Sequence, residues 1–280
     1  MPPQNLKGID RMDNRPIGVF DSGLGGLTTV KKITQYLPGE DIIYLGDTGR
    51  VPYGSRSVDT IIKFAKQDAS FLTGLNIKAM IIACNTVSGV AYHILKDMYD
   101  MPIYEVITIP ALTASKSTKN GKIGVIGTTA TIRSGAYEKE LKNISPEINV
   151  YSKACPLFVP MVENNRTDEN DIAALTIAKD YLTGLCESGI DTLIMGCTHY
   201  PLLRKVISKT VGSNVILIDS GAETAKFVAE KLRDDNALSD KQKDGIFKYY
   251  VTDSVDDFNI LASHFLETPV DGMVKQVSLD

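Results

Sequence analysis

The 280-residue chain has no excess of basic residues: 30 lysines and arginines stand against 34 aspartates and glutamates, a formal charge of −4. That balance offers no positive footprint for nucleic acid or for an anionic membrane surface. No apolar run approaches the roughly 20 residues needed to span a bilayer. The opening stretch MPPQNLKGIDRMDNRP has no apolar core that could act as a secretion signal. A cytoplasmic protein with a small-molecule partner is the expectation. Cysteine is sparse: Cys84, Cys155, Cys186 and Cys197 form no C-x-x-C pair, and the only histidines are His93, His199 and His264. A chain of this size needs no disulfide staples, so reduced thiols are expected and a structural zinc site is not. DSGLGG (21–26) lacks the G-x-G-x-x-G spacing and places an aspartate where a phosphate would be repelled, which argues against a nucleotide site.

What the chain does have is alternation. Short apolar runs at 16–21, 41–47, 78–85, 102–107, 122–128, 149–155, 191–197 and 214–219 are separated by helical patterns such as Leu27, Val30, Ile33 and Leu37, or Ile61, Ile62, Ala65, Ala69, Leu72 and Leu75. Strands apolar on both faces and separated by helices predict an α/β protein with parallel sheets covered by helices. Such folds gather ligands beyond the carboxyl ends of their strands. There lie VFDSGLGG, LGDTGRVPYGSRS, ACNTVSG, IGTTATIRSG and MGCTHYPLL, read as one shared rim. The segment after about residue 222 is too short for a domain of its own and is expected to pack back on the first half.

The chain also repeats itself. PIGVFDSGLGG and KIGVIGTTAT each begin a run whose later strand ends in Cys and Thr, 66 residues from Gly18 to Cys84 and 73 from Gly124 to Cys197. Two related halves facing each other would bring the two cysteines to opposite sides of one cleft. The division expected is a first α/β domain of 14–109 plus 222–280, carrying Cys84, and a second of 110–221, carrying Cys197.

A thiol catalyses only as thiolate, and an unperturbed cysteine is mostly protonated at neutral pH. At a strand end just before a helix, backbone N–H groups and the helix dipole favour the anion, and both Cys84 and Cys197 are read as sitting there. Cys155 and Cys186 are read as ordinary small buried hydrophobes. The triplets CNT and CTH surround the other two with groups able to hold a carboxylate or ammonium. Two cysteines flanking one carbon suit inversion of a stereocentre: one thiolate removes the α-proton and the opposing thiol delivers another.

IGVFDSGLGGLTTV, YLGDTGRVPYGSRS, IACNTVSG, IGVIGTTATIRSGAY, CPLFVPMVE and MGCTHYPLL, in that order, resemble the cofactor-independent aspartate/glutamate racemase family, and within it the racemases of glutamate. The resemblance runs from about residue 16 to 225. It implies two pseudo-symmetric α/β domains with the substrate between them, and no pyridoxal phosphate, metal or nucleotide. It implies Cys84 and Cys197 as acid/base catalysts acting on D- and L-glutamate respectively, with Asp21 near the first and Glu163 and His199 near the second. Substrate would be held by Asp21, Ser22, Tyr53, Gly54, Asn85, Thr86, Thr198 and His199, with Thr128 and Thr131 beside them. It further implies a homodimer that supplies D-glutamate for peptidoglycan. Gly49 stands where alanine is more usual, and Val87 and Ser88 depart from the common pattern without touching the polar positions.

Each position also has a plainer reading. Asp21 fits a helix N-cap before GLGGLTTV. Beside a thiolate it would raise the thiol pKa, so its use would be proton relay or ammonium binding. Tyr53 fits a Pro-Tyr-Gly turn. His199 fits a satisfied buried histidine, and thiol tuning is preferred because it lies two residues after Cys197. A decarboxylase needs only one protonating thiol, and a metabolite-binding module leaves both cysteines unexplained. A dithiol redox enzyme needs Cα atoms within about 7 Å, with no room for a ligand between.

Overall fold

The computed structural model describes residues 12–241 and 243–279. Most of the opening stretch judged free of a secretion signal therefore lies outside the described residues. The first half runs β1 (Ile17–Asp21), α1 (Leu27–Tyr36), β2 (Ile42–Gly46), α2 (Val58–Thr73), β3 (Ala79–Ile82), α3 (Asn85–Met98) and β4 (Ile103–Glu105). The second runs α4 (Thr108–Ser117), β5 (Lys122–Gly127), α5 (Thr129–Ser134), α6 (Ala136–Ile144), β6 (Asn149–Ala154), α7 (Phe158–Glu163), α8 (Ile172–Glu187), β7 (Thr192–Gly196), α9 (Arg204–Val211) and β8 (Ile216–Asp219). The chain then returns through α10 (Ser220–Asp234), β9 (Phe247–Val251), α11 (Val255–Leu266) and β10 (Val274–Gln276).

Hydrophobic pattern accounts for the layers. β1, β2, β3 and β7 are buried at every residue because helices cover both faces, whereas the edge strands β6 and β8 carry exposed positions. α2 shows how the helices are specified. The Ser57 hydroxyl caps it by accepting from the Thr60 N–H at 3.3 Å, and Ile61, Ala65, Ala69 and Leu72 form one buried stripe. Ile61 and Leu72 are fully buried and contribute about 1.5–3 kcal/mol each over an exposed position.

Two all-parallel sheets result, ordered β10-β9-β2-β1-β3-β4 and β6-β5-β7-β8. The blocks β2-β1-β3-β4 and β6-β5-β7-β8 repeat one strand order, so the fold is two pseudo-symmetric α/β halves and the internal repeat is structural. Cys84 and Cys197 come after equivalent strands, β3 and β7. The closing segment rejoins the first sheet: β9 pairs with β2, Ile42 opposite Phe247, and α10 packs on α1. Phe258, Ala262 and Phe265 of α11 are buried and form a core-facing side of that helix. Among the described residues no helix is long and apolar enough to cross a membrane.

Candidate active site

The two cysteines differ in their downstream neighbours. β3 ends at Ile82, three residues short of the predicted boundary, because its last pairing with β1 is Phe20 with Ile82. Cys84 then occupies the N-cap position of α3, its carbonyl accepting from the Ser88 N–H at 2.9 Å. Cys197 does not precede an α-helix directly. A 3₁₀ turn over Tyr200–Leu203 intervenes, with Pro201 near its start, so the expected helix-terminus environment applies to Cys84 alone. What Cys197 has instead is His199, whose Nδ1 lies 4.0 Å from its Sγ.

The thiol environments diverge accordingly. Both cysteines are 5% exposed. At Cys84, burial and then the Asp21 charge push the thiol up to about 12, against hydrogen bonds from Ser22 and the Val87 N–H. The Cys84 thiol donates to Ser22 Oγ at 3.5 Å. At His199, burial opposes the charged form. The hydrogen bonds and charges of Cys197 and Glu163 outweigh it and raise the imidazole to about 10. Glu163, at the last residue of α7, reaches His199 Nε2 through Oε1 at 3.1 Å, so it acts on Cys197 through the imidazole. The ring of Phe265 stands edge-on to His199, centroids 5.6 Å apart, and backs the imidazole from α11.

Asp21 is not among the residues that line the cleft described below; it sits at the turn into α1, where the N-cap position expected for it falls to Gly26. Its Oδ2 accepts from the N–H groups of Gly23 and Gly26, at 3.2 and 3.0 Å, and so organises the turn into α1. Its Oδ1 is buried and has no hydrogen-bond partner among the described residues. Burial raises the carboxyl pKa while the His199 charge opposes the rise, which puts Asp21 within electrostatic reach of both cysteine sites. Gly25 lets this loop touch the opposite half. A Cβ there would stand 2.1 Å from Thr198 Oγ1 and 2.5 Å from His199 Nδ1.

Cys84 and Cys197 line one cleft of about 400 Å³, together with Ser22, Tyr53, Gly54, Asn85, Thr86, Thr128, Glu163, Thr198 and His199. Thr131 is just behind it: the hydroxyls of Thr86, Thr128 and Thr131 form a triangle with edges of 2.9, 2.9 and 3.3 Å across the two halves. Gly54 abuts the same place, where a Cβ would come 2.8 Å from that of Thr128. Tyr53 is committed elsewhere. Its hydroxyl bonds to Asp47 and lies 3.1 Å from Asp68 Oδ2, so it is already engaged within the protein. Asn85 is buried, with its Oδ1 2.6 Å from the Tyr137 hydroxyl and its Nδ2 donating to Ser220 Oγ at 3.2 Å.

Several lining residues went unmarked in the sequence: Val51, Pro52, Pro156 and Pro160 form an apolar wall. Their Pro-rich composition is a turn signal and carries no information about a pocket. In the Val159, Met161, Val162 run, Met161 and Val162 are core and Val159 lines the cleft. His93 and His264 are exposed, away from the site, and Cys155 is buried outside it, its thiol also pushed up to about 12, chiefly by burial.

The family profile described as Asp/Glu/Hydantoin racemase matches residues 17–228. A glutamate racemase of Geobacter metallireducens is 48% identical over 95% of this chain and 97% of its own length. The crystal structure of glutamate racemase from Francisella tularensis in complex with D-glutamate is 42% identical and superposes with a TM-score of 0.89, covering 96% of this chain and 99% of that one. The glutamate racemase isoform RacE1 from Bacillus anthracis is 39% identical with a TM-score of 0.91, covering 95% and 98%.

Proposed function

Because this chain belongs to the Asp/Glu/Hydantoin racemase family, we propose that it interconverts L- and D-glutamate by proton transfer at Cα, with Cys84 and Cys197 as the acid/base pair. The observation that carries this reading is that the two cysteines come after equivalent strands of two like-ordered sheets and open onto one cleft. Glutamate as substrate is supported by the D-glutamate held by the Francisella relative and by a cleft of a size suited to one amino acid.

The surroundings suggest the resting state. Cys84, raised by burial and by Asp21, rests as thiol, and a protonated His199 stands beside the Cys197 sulfur. With L-glutamate bound, the Cys197 thiolate takes the α-hydrogen. The C–H electron pair stays on carbon, and the Cys84 S–H proton is delivered to the opposite face, which leaves D-glutamate, a Cys84 thiolate and a Cys197 thiol. Solvent exchange or the reverse reaction resets the pair. Glu163 holds the imidazole, and Asp21, through its unpartnered Oδ1, suits the substrate ammonium or a relayed proton. Ser22, Tyr53, Gly54, Asn85, Thr86, Thr198 and His199 are assigned to holding the substrate. Neither thiol step calls on a cofactor.

The domains assigned are 14–109 with 222–280, and 110–221. By family resemblance the protein would act as a cytoplasmic homodimer supplying D-glutamate for peptidoglycan. Incubating the pure protein with L-glutamate in D₂O, with nothing added, tests the chemistry: deuterated D-glutamate should accumulate, and Cys84→Ala and Cys197→Ala should each abolish racemisation. Full racemisation by either variant would refute the assignment.

A further inference from the structure

One buried side chain spans the distance between the two cysteine-bearing strand ends. Tyr137, in the first turn of α6, lays its ring against Gly196, the residue before Cys197: a Cβ on that glycine would stand 2.9 Å from Tyr137 Cε2. Its hydroxyl oxygen lies 2.6 Å from Oδ1 of Asn85, the residue after Cys84, and 2.8 Å from the Val106 carbonyl oxygen. Asn85 in turn donates to Ser220 Oγ at 3.2 Å. Val106 and Ser220 lie on the two passages between the sheets, β4 to α4 and β8 to α10. A single phenol therefore touches both strand ends and one crossover, and through Asn85 it reaches the other.

We propose that Tyr137 is a positioning residue that fixes the separation of Cys84 and Cys197 across the substrate carbon. This rests on the assignment of those two cysteines as acid and base. Breaking the Cα–H bond needs one sulfur in place, whereas inversion needs both within reach of the same carbon, about 3–3.5 Å. Loosening the spacer therefore harms delivery to the opposite face more than abstraction. After Cys197 has taken the α-hydrogen of L-glutamate, a Cys84 thiol set too far away leaves the carbanion to recover a proton from the Cys197 side. If that thiol has meanwhile exchanged with solvent, the returned proton labels L-glutamate without inverting it.

The test is Tyr137→Phe, which keeps the ring and removes the hydroxyl, assayed with L-glutamate in D₂O by chiral separation and mass spectrometry. Wild type should place deuterium in the D-glutamate formed and little in recovered L-glutamate. In the variant, kcat should fall roughly ten- to a hundredfold with KM within about threefold, and label in recovered L-glutamate per D-glutamate formed should rise severalfold. Ser220→Ala, which cuts the other tie of Asn85 and lies outside the cleft lining, should move the same ratio in the same direction, and it decides the matter if Tyr137→Phe does not fold. A ratio unchanged from wild type, whatever the loss of rate, overturns the proposal, since a merely structural defect lowers exchange and racemisation together. The cysteine variants separate the two readings. Racemisation surviving in either one removes the premise, whereas both inactive with an unchanged ratio in Tyr137→Phe removes only the spacer.

Discussion

Replacing Glu163 by glutamine should lower the pH at which His199 loses its proton by roughly one unit. In wild type the imidazole is raised to about 10, with Glu163 Oε1 at 3.1 Å from Nε2. Glutamine keeps an oxygen acceptor and loses the charge. A hydrogen bond to a charged group contributes about 1.5–3 kcal/mol and a neutral one about 0.5–1.5. The Glu163 side chain is 37% exposed, so the difference belongs at the low end, about 1–1.5 kcal/mol, which at 1.36 kcal/mol per pH unit puts the variant at about 9. Titration of the labelled imidazoles by NMR reads this directly, with the exposed His93 and His264 identified by substitution. Enantiomers have equal free energy, so kcat/KM must fall by one factor in both directions, and the directional defect shows only in the titration and in kcat. The sign of the stability effect comes from the same pair. A histidine held protonated by the fold contributes fully below its unfolded value near 6.5 and loses that contribution as pH rises through its folded value. The urea midpoint of the variant should thus lag wild type from pH 6 to 9 and rejoin it above 10. His199 titrating near 6.5 in wild type, or at the same pH in both proteins, would refute the reasoning.

Arg50 donates to Asp47 at 2.6 Å, to Asp68 at 2.9 Å and to Gln67 at 2.6 Å beneath the loop that carries Tyr53. Arg50→Ala leaves two fully buried carboxyl groups, both beside the Tyr53 hydroxyl, without their cation and should cost about 3–5 kcal/mol by urea unfolding at pH 7.5. Burial and then the Asp47 charge already hold Asp68 well above the usual carboxylate range, so the deficit should shrink as pH falls; near-wild-type stability at neutral pH would contradict the clamp. Gly25→Ala should push the 22–26 loop away from Thr198 and His199 and cost about 1–3 kcal/mol together with at least about tenfold in kcat. Gly74→Ala, where the nearest atom would be 3.4 Å away, is the tolerated control, and equal behaviour of the two in melting and racemisation would contradict the crossing contact.

The fold was legible because the strands announce themselves as runs apolar on both faces, and the repeated strand order was legible from the two Cys-Thr endings. The electrostatics of the site were not, for a physical reason. A helix N-terminus predicts an easier thiolate at Cys84, yet burial and a carboxylate from β1 dominate, and both are tertiary facts. At Cys197 a 3₁₀ turn replaces the expected helix start, and the neighbouring imidazole comes from two residues along the chain, held by a carboxylate 36 positions away. Family resemblance named Glu163 without its path to the sulfur. Tyr53 and Asn85, expected to hold substrate, do line the cleft, and their side chains are also bonded within the protein, to Asp47 and Asp68 and to Tyr137 and Ser220. Residues that fasten loops around a cleft share composition with residues that face into it, since both must be polar, small or turn-forming at strand ends. Only the direction of each side chain separates them, and that direction is set by partners as distant as Asn85 from Ser220. Sequence thus identifies the rim as a set, and the division of that set into groups that touch substrate and groups that hold the rim in place emerges only from packing.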